Sequence, residues 1–218
     1  MTLRLHYHPL SSFCWKVLIA LYENDTPFEP VLVDLSNKTE REAFRKLWPI
    51  GKFPVLEDTA RDWMVPESSI IIEYLAQHYP GRAKLVPDDP DRARQVRMRE
   101  RFFDLNVQVP MQKITGDWRR PDGMRDPLGV REAREHMRTA CTMIEGDMAS
   151  KRWAMGDDFT MADCAAAPAL HYANRVKDLA GDFPNAAAYL KRLYDRPSVA
   201  RTVKEAEPYS HMFPAEKA

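Results

Sequence analysis

The 218 residues balance 32 Lys plus Arg against 32 Asp plus Glu, which leaves no long-range field to attract nucleic acid or an anionic membrane. That length buries a sizeable core as one domain or two small ones, and no apolar stretch approaches the ~20 residues that span a bilayer. Three scattered cysteines, Cys14, Cys141 and Cys164, form no CxxC, which excludes a disulfide framework or zinc site and points to a reducing cytoplasm with no metal cofactor.

Leu3, Leu5 and Tyr7 alternate with Arg4, His6 and His8, a strand period closed by Pro9. The period then lengthens, and Val17, Ile19, Ala20 and Leu21 give the apolar side of a helix from about Phe13 to Glu23, with a serine before it as N-cap. "PVLVDL" (Pro30 to Leu35) reads as a buried second strand and "TEREAFRKLW" (Thr39 to Trp48) as a polar helix. "FPVLED" (Phe53 to Asp58) and "DWMV" (Asp62 to Val65) read as a strand pair, followed by a helix from Glu67 to Tyr79. The order βαβαββα predicts an α/β, thioredoxin-like module over residues 1–80, with helices on both faces of a mixed sheet.

Pro80, Pro87 and Pro90 amid acidic residues mark a linker at 81–90, after which strand signals vanish. Helical spacing recurs over 91–116, 127–150, 161–175, 185–194 and 197–206, so residues 91–218 are expected to form an all-α domain without internal repeats. Thr160-x-x-Asp163 after Phe159 is a capping box with an apolar staple, with Asp163 in a structural role, and Pro168 inside that helix predicts a kink or tightened turn.

Three features converge on one end of the small sheet. Phe53-Pro54 lies at a strand start, where proline removes a ladder donor and the X–Pro bond is a candidate for cis; it leaves backbone free to pair with an extended peptide, or is a plain edge proline. Glu67 and Ser68 open a helix, where N–H groups and a hydroxyl hold a carboxylate and Glu67 an ammonium, or where both simply cap. Lys38 and Lys52 suit a second carboxylate, or are ordinary solvated lysines. A ligand with an α-amino-acid head, a peptide middle and a carboxylate tail fits all three features, and glutathione has that form.

The succession "SSFCWKVLIAL", "NKT", "GKFPVL" and "ESSIIIEYL" resembles the cytosolic glutathione transferases over nearly the full chain, notably the serine-type tau and zeta classes. "FTMAD" and the tail "PSVARTVKEAEPYSHMFP" resemble that family's second domain, the tail most like bacterial members. The resemblance implies the glutathione transferase fold, glutathione as co-substrate, a small electrophile as second substrate, a homodimer and a detoxifying role. It also implies Ser11 as the hydroxyl that stabilises the thiolate, Lys38 and Lys52 at the glycyl carboxylate, Phe53 at the cysteinyl unit, Pro54 as the cis-proline, and Glu67 and Ser68 at the γ-glutamyl head. Ser12 is a second hydroxyl or a cap, while Tyr7 in "YHP" resembles the tyrosine-type donor and competes with Ser11. Cys14 reads as buried and structural. Phe13, Met111 and Trp118 are candidate walls for the electrophile at the domain boundary. In "LWPIGK", Trp48 stands where the family usually has Asn. A glutathione-dependent isomerase of the zeta type, peroxidase or dehalogenase chemistry on the same thiolate, and a non-catalytic regulatory protein remain open alternatives.

Overall fold

The computed structural model describes residues 2–215, so the last three residues of the expected helical domain lie outside it. The elements are β1 (Leu3–Tyr7), α1 (Ser12–Glu23), β2 (Glu29–Leu32), α2 (Lys38–Leu47), β3 (Val55–Asp58), β4 (Trp63–Pro66) and α3 (Ser68–His78). The helical part comprises α4 (Pro90–Phe103), a π-helical turn (Asp104–Gln108), α5 (Val109–Trp118), α6 (Pro127–Met148), α7 (Met161–Val176), α8 (Leu179–Asp182), α9 (Pro184–Tyr194) and α10 (Pro197–Ala206), ending in a 3₁₀ turn at Glu207–Met212.

The sheet runs β2-β1-β3-β4, with β1 parallel to β2 and antiparallel to β3, and β3 antiparallel to β4. Because side chains alternate along a strand, β1 sends Leu3 and Leu5 to one face, where they meet Val17, Leu18 and Leu21 of α1 and Ile71 and Leu75 of α3. The opposite face packs Val55 against Phe44 of α2, with Val33 beside them. The thioredoxin-like layering thus follows from the strand and helix periods.

One expectation is corrected. "PVLVDL" does not form a buried strand: β2 is the sheet edge, Pro30 and Leu32 are exposed, and only Val33 just beyond it is buried. A continuous apolar run has the same sequence signature at an edge as at a sheet centre, and topology alone decides between them.

The expected single helix over 91–116 is also divided, by the π-helical turn at Asp104–Gln108. Helix α7 runs unbroken through Pro168 and is buried along most of its length, packing on α1, α4 and α9. Its start is the predicted capping box: Thr160 Oγ1 accepts from the Ala162 N–H at 3.3 Å, and Asp163 Oδ2 accepts from the Thr160 N–H at 2.9 Å. Asp163 is fully buried and its Oδ1 accepts from the Ala154 N–H at 2.8 Å and the Tyr189 hydroxyl at 2.6 Å. Among the described residues no helix is long and apolar enough to cross a membrane, and no cluster of three or more His, Cys, Asp or Glu is placed to hold a metal.

A second polar knot joins the two halves. Lys16 of α1 is 1% exposed and binds Glu100 of α4, Asp104 at 2.6 Å and the Ser69 hydroxyl of α3 at 3.3 Å. One lysine faces two buried carboxylates. Burial outweighs the attraction of Lys16 and pushes the Asp104 carboxyl up to about 6.

Candidate active site

A cleft of about 520 Å³ opens where the carboxyl end of β1 meets α5, α7 and the C-terminal tail. Its floor is the segment from His8 to Ser12 that turns β1 into α1. That segment is fastened from both sides: the Tyr172 hydroxyl of α7, in the helical half, donates to the Leu10 carbonyl at 2.7 Å, and Trp15 Nε1 of α1 donates to the Pro9 carbonyl at 2.5 Å. Trp15 in turn packs on His171, with ring centres 4.7 Å apart.

Ser11 is the N-cap of α1, with extended backbone (φ −78, ψ 118), and Ser12 is the first helical residue and buried. Both line the cleft. Ser11 Oγ accepts from the Cys14 N–H at 3.4 Å, its hydroxyl also hydrogen-bonds the buried Cys14 thiol, and rotation about the C–O bond can turn that donor to a ligand. Partial positive charge at the helix start adds to the attraction for an anion there. Cys14 is fully buried, and burial pushes its thiol up to about 12, as expected of an inert structural cysteine.

Tyr7 does not line the cleft. The alternation of β1 packs it against the buried Leu3–Leu5 cluster, and burial, followed by the charge of Glu205, raises its phenol above the ordinary value. Its neighbour His8 projects to the other side and forms part of the wall, its ring 6.1 Å from Phe53 and edge-on to Tyr209 at 5.1 Å. Burial lowers the His8 imidazole below its usual pKa.

The parallel ladder continues past β2 through the bond from the Val33 N–H to the Tyr7 carbonyl at 2.9 Å, which brings Asp34, Leu35 and Ser36 to the cleft. The Ser36 hydroxyl and N–H both donate to Asp34, at 2.6 and 2.8 Å, and hold its carboxyl below the usual range. Phe53 completes this side, and the Phe53-Pro54 bond is cis. The register Val55↔Pro66 sets Phe53-Pro54 and Glu67-Ser68 at neighbouring strand ends. Ser68 is buried at the start of α3, while Glu67 is exposed with φ +69, in the left-handed region that costs a residue with a Cβ about 1–3 kcal/mol.

Lys38, Lys52, Pro54, Glu67 and Ser68 border this end of the sheet outside the cleft itself. Lys38 is the exposed first residue of α2, 3.9 Å from Glu42. Lys52 is exposed and follows the turn closed by the bond from the Gly51 N–H to the Trp48 carbonyl at 2.8 Å, where Gly51 takes φ +66. Trp48, in the position that departs from the family pattern, caps α2 and packs beside Phe44.

Of the three expected electrophile walls, Met111 lines the cleft and two do not. Phe13 points at the Lys16 knot, its ring centre 5.7 Å from Lys16 Nζ, and Trp118 is buried in the helical core. Helical spacing assigns a residue to a face of its helix without saying which neighbour that face meets. The walls not anticipated are His8, Gln108, Tyr172 and the tail residues Met212 and Phe213. Phe213 stacks on Tyr172 at 5.3 Å with an interplanar angle of 13°, and Arg175 sits 4.2 Å from its ring centre.

Residues 5–83 match the family domain described as "Glutathione S-transferase, N-terminal domain", and residues 126–192 match "Glutathione S-transferase, C-terminal domain". The chain is 28% identical over 193 residues to the glutathione S-transferase GstB of Escherichia coli K12, spanning 86% of this chain and 91% of that protein. It is 30% identical over 161 residues to the glutathione S-transferase-like protein LUC7 of Fusarium sp, spanning 73% of this chain and 72% of that protein. The crystal structure of a glutathione S-transferase from Methylobacillus flagellatus with glutathione bound superposes with a TM-score of 0.83 at 26% identity, over 92% of this chain and 98% of that one. The chain belongs to the glutathione S-transferase family.

Proposed function

We propose that this protein binds glutathione, holds its thiol as the thiolate through the Ser11 hydroxyl, and transfers the sulfur to small electrophiles. The observation that carries this reading is the Ser11 hydroxyl, set in the cleft at the α1 N-terminus, where rotation can turn it from Cys14 to a ligand thiolate. A thiol near pKa ~8.5 is only a few per cent ionised at neutral pH. A hydrogen bond to the anion is worth about 1.5–3 kcal/mol, which lowers that pKa by roughly one to two units. The thiol proton leaves to solvent, and the sulfur lone pair forms the new C–S bond. At an activated aryl halide the halide departs with its bonding pair; at an enone the displaced π pair becomes an enolate that water protonates.

Ser11 rather than Tyr7 is the donor in this scheme, because Ser11 lines the cleft while Tyr7, half-buried against the Leu3–Leu5 cluster, does not. Ser12 is a helix residue beside it. Glutathione then extends along the sheet end, with its cysteinyl unit at Phe53, next to Pro54, its γ-glutamyl head at Glu67 and Ser68, and its glycyl carboxylate toward Lys38 and Lys52. The unfavourable backbone of Glu67 supports a ligand role, since such strain concentrates at binding sites. Exposed Ile70, Met98 and Leu105 on and just after α3 and α4 support a homodimer through that face. Three buried free cysteines suit a cytoplasmic setting, and conjugation of this kind would serve detoxification.

The test is titration of the protein with glutathione by calorimetry, with thiolate absorbance recorded, followed by turnover of a chloro-nitroarene. Binding with a thiolate signal and turnover support the reading; absence of all three overturns it. An isomerase of the zeta type would use the same thiolate, a reading favoured by "SSFCW", and a maleyl-type cis-enone separates the two.

A further inference from the structure

Helix α5 and the π-helical turn before it present one face to the cleft: Gln108, Met111, Gln112, Thr115, Gly116 and Arg119 recur every three or four residues. The face is graded. Gln108, Met111 and Thr115 are buried, while Gln112, Gly116 and Arg119 are exposed.

Gln108 is 2% exposed, and its Oε1 has no hydrogen-bond partner among the described residues. Buried side-chain carbonyls are normally satisfied, so an unpaired one in the wall of a cleft is an acceptor waiting for a donor. The terminal torsion of glutamine is broad and allows the amide to turn into the cavity. Thr115 offers no competing donor, because its hydroxyl is spent on the Met111 carbonyl at 3.1 Å. The π-helical turn ending at Gln108 breaks the register of 90–118, and one residue of register rotates everything after it by about 100°.

At the open end, among the described residues, Arg119 is the one permanent cation lining the cleft and its guanidinium makes no ion pair. Between Gln108 and Arg119, Gly116 presents no side chain, and a Cβ there would meet nothing in the protein within 4 Å. Met111 on the same face, with Tyr172 and Phe213 opposite, supplies an apolar middle.

We propose that Gln108 and Arg119 are specificity-determining residues. They select electrophiles with an apolar or aromatic body, a hydroxyl or N–H donor at the buried end and a carboxylate at the open end. This rests on the transferase reading for its chemistry, and on the cleft alone for its binding.

A matched set of aryl enones tests it: one carrying a phenolic hydroxyl and a carboxylate, its methyl ether, and its methyl ester. The wild-type protein is expected to lose roughly 10- to 100-fold in kcat/KM on the ether and roughly three- to fivefold on the ester. Gln108→Leu should erase the discrimination against the ether and keep that against the ester; Arg119→Gln should do the reverse. Calorimetric binding of the saturated, unreactive analogues reads the same ratios without turnover, so a failure of catalysis is distinguishable from a failure of recognition. Thermal melting checks that both variants fold. If the wild type treats acid, ether and ester alike in binding, or either variant keeps both wild-type ratios, the proposal is overturned.

Discussion

Asp163 and Gln108 lie in the same helical half, both almost entirely buried, and their polar atoms meet opposite fates. Asp163 receives hydrogen bonds from two backbone N–H groups, one tyrosine and one threonine hydroxyl, and no lone pair is left aimed at a ligand. Gln108 lines a cleft with an acceptor unused. Polar groups satisfied from within hold the fold together, whereas an unused acceptor in a cleft wall is open to a ligand. Ser11 stands between the two, because its oxygen caps α1 while its hydroxyl lines the cleft. Each of the following experiments presses on that contrast.

The largest effect is expected at the satisfied end. Asp163→Ala would leave the Ala154 and Thr160 N–H groups and the Tyr189 hydroxyl buried without partners, costing about 3–5 kcal/mol in urea unfolding. Refolded protein should still bind glutathione wherever it is native. Lys16→Met should cost about 3 kcal/mol or more, since it abandons two buried carboxylates.

Asp104 supplies a pH test of the same knot, where it faces Lys16, Glu100 and Arg101. Its folded pKa of about 6 lies above the ordinary 3.8, so between those values the folded state holds more protons than the unfolded one. Its contribution to stability is therefore greatest below about pH 4 and falls as pH rises through 6, by roughly 2–3 kcal/mol. Asp104→Asn should remove that slope from the difference between the variant and wild-type stability curves.

Ser11→Ala reads both roles of one hydroxyl. Loss of the cap should cost about 1 kcal/mol, and loss of the thiolate donor should lower kcat/KM roughly 10- to 100-fold with a rise in the pKa of bound glutathione. Equal, small effects on both measurements would make Ser11 a cap only and dissolve its intermediate position. Ser12→Ala is expected to change catalysis least, because that hydroxyl belongs to the first turn of the helix.

What was legible in the sequence follows the same division. The capping box could be read because local chemistry specifies it: Thr160 and Asp163 act on backbone within three residues. The alternation in "LRLHY" likewise placed β1, and Pro54 at a strand start pointed to the observed cis bond. The cleft was less legible because it is assembled by distant segments. Met111 and Trp118 share a helix and a helical period, yet one meets the cleft and the other the core. Gln108 carried no signal, since nothing in "DLNVQV" announces a π-helical turn. His8 was visible only as the polar partner in an alternating strand, and Leu32 as part of an apolar run indistinguishable from a buried one.

The bond from the Tyr172 hydroxyl to the Leu10 carbonyl has a consequence for how such proteins diversify. The residue that tethers the turn carrying Ser11 also forms a wall of the cleft. Recombining this N-terminal half with a foreign helical half would therefore exchange more than substrate preference. A chimera must bring a donor to the place of Tyr172, or the turn that carries Ser11 is no longer tied from the helical side.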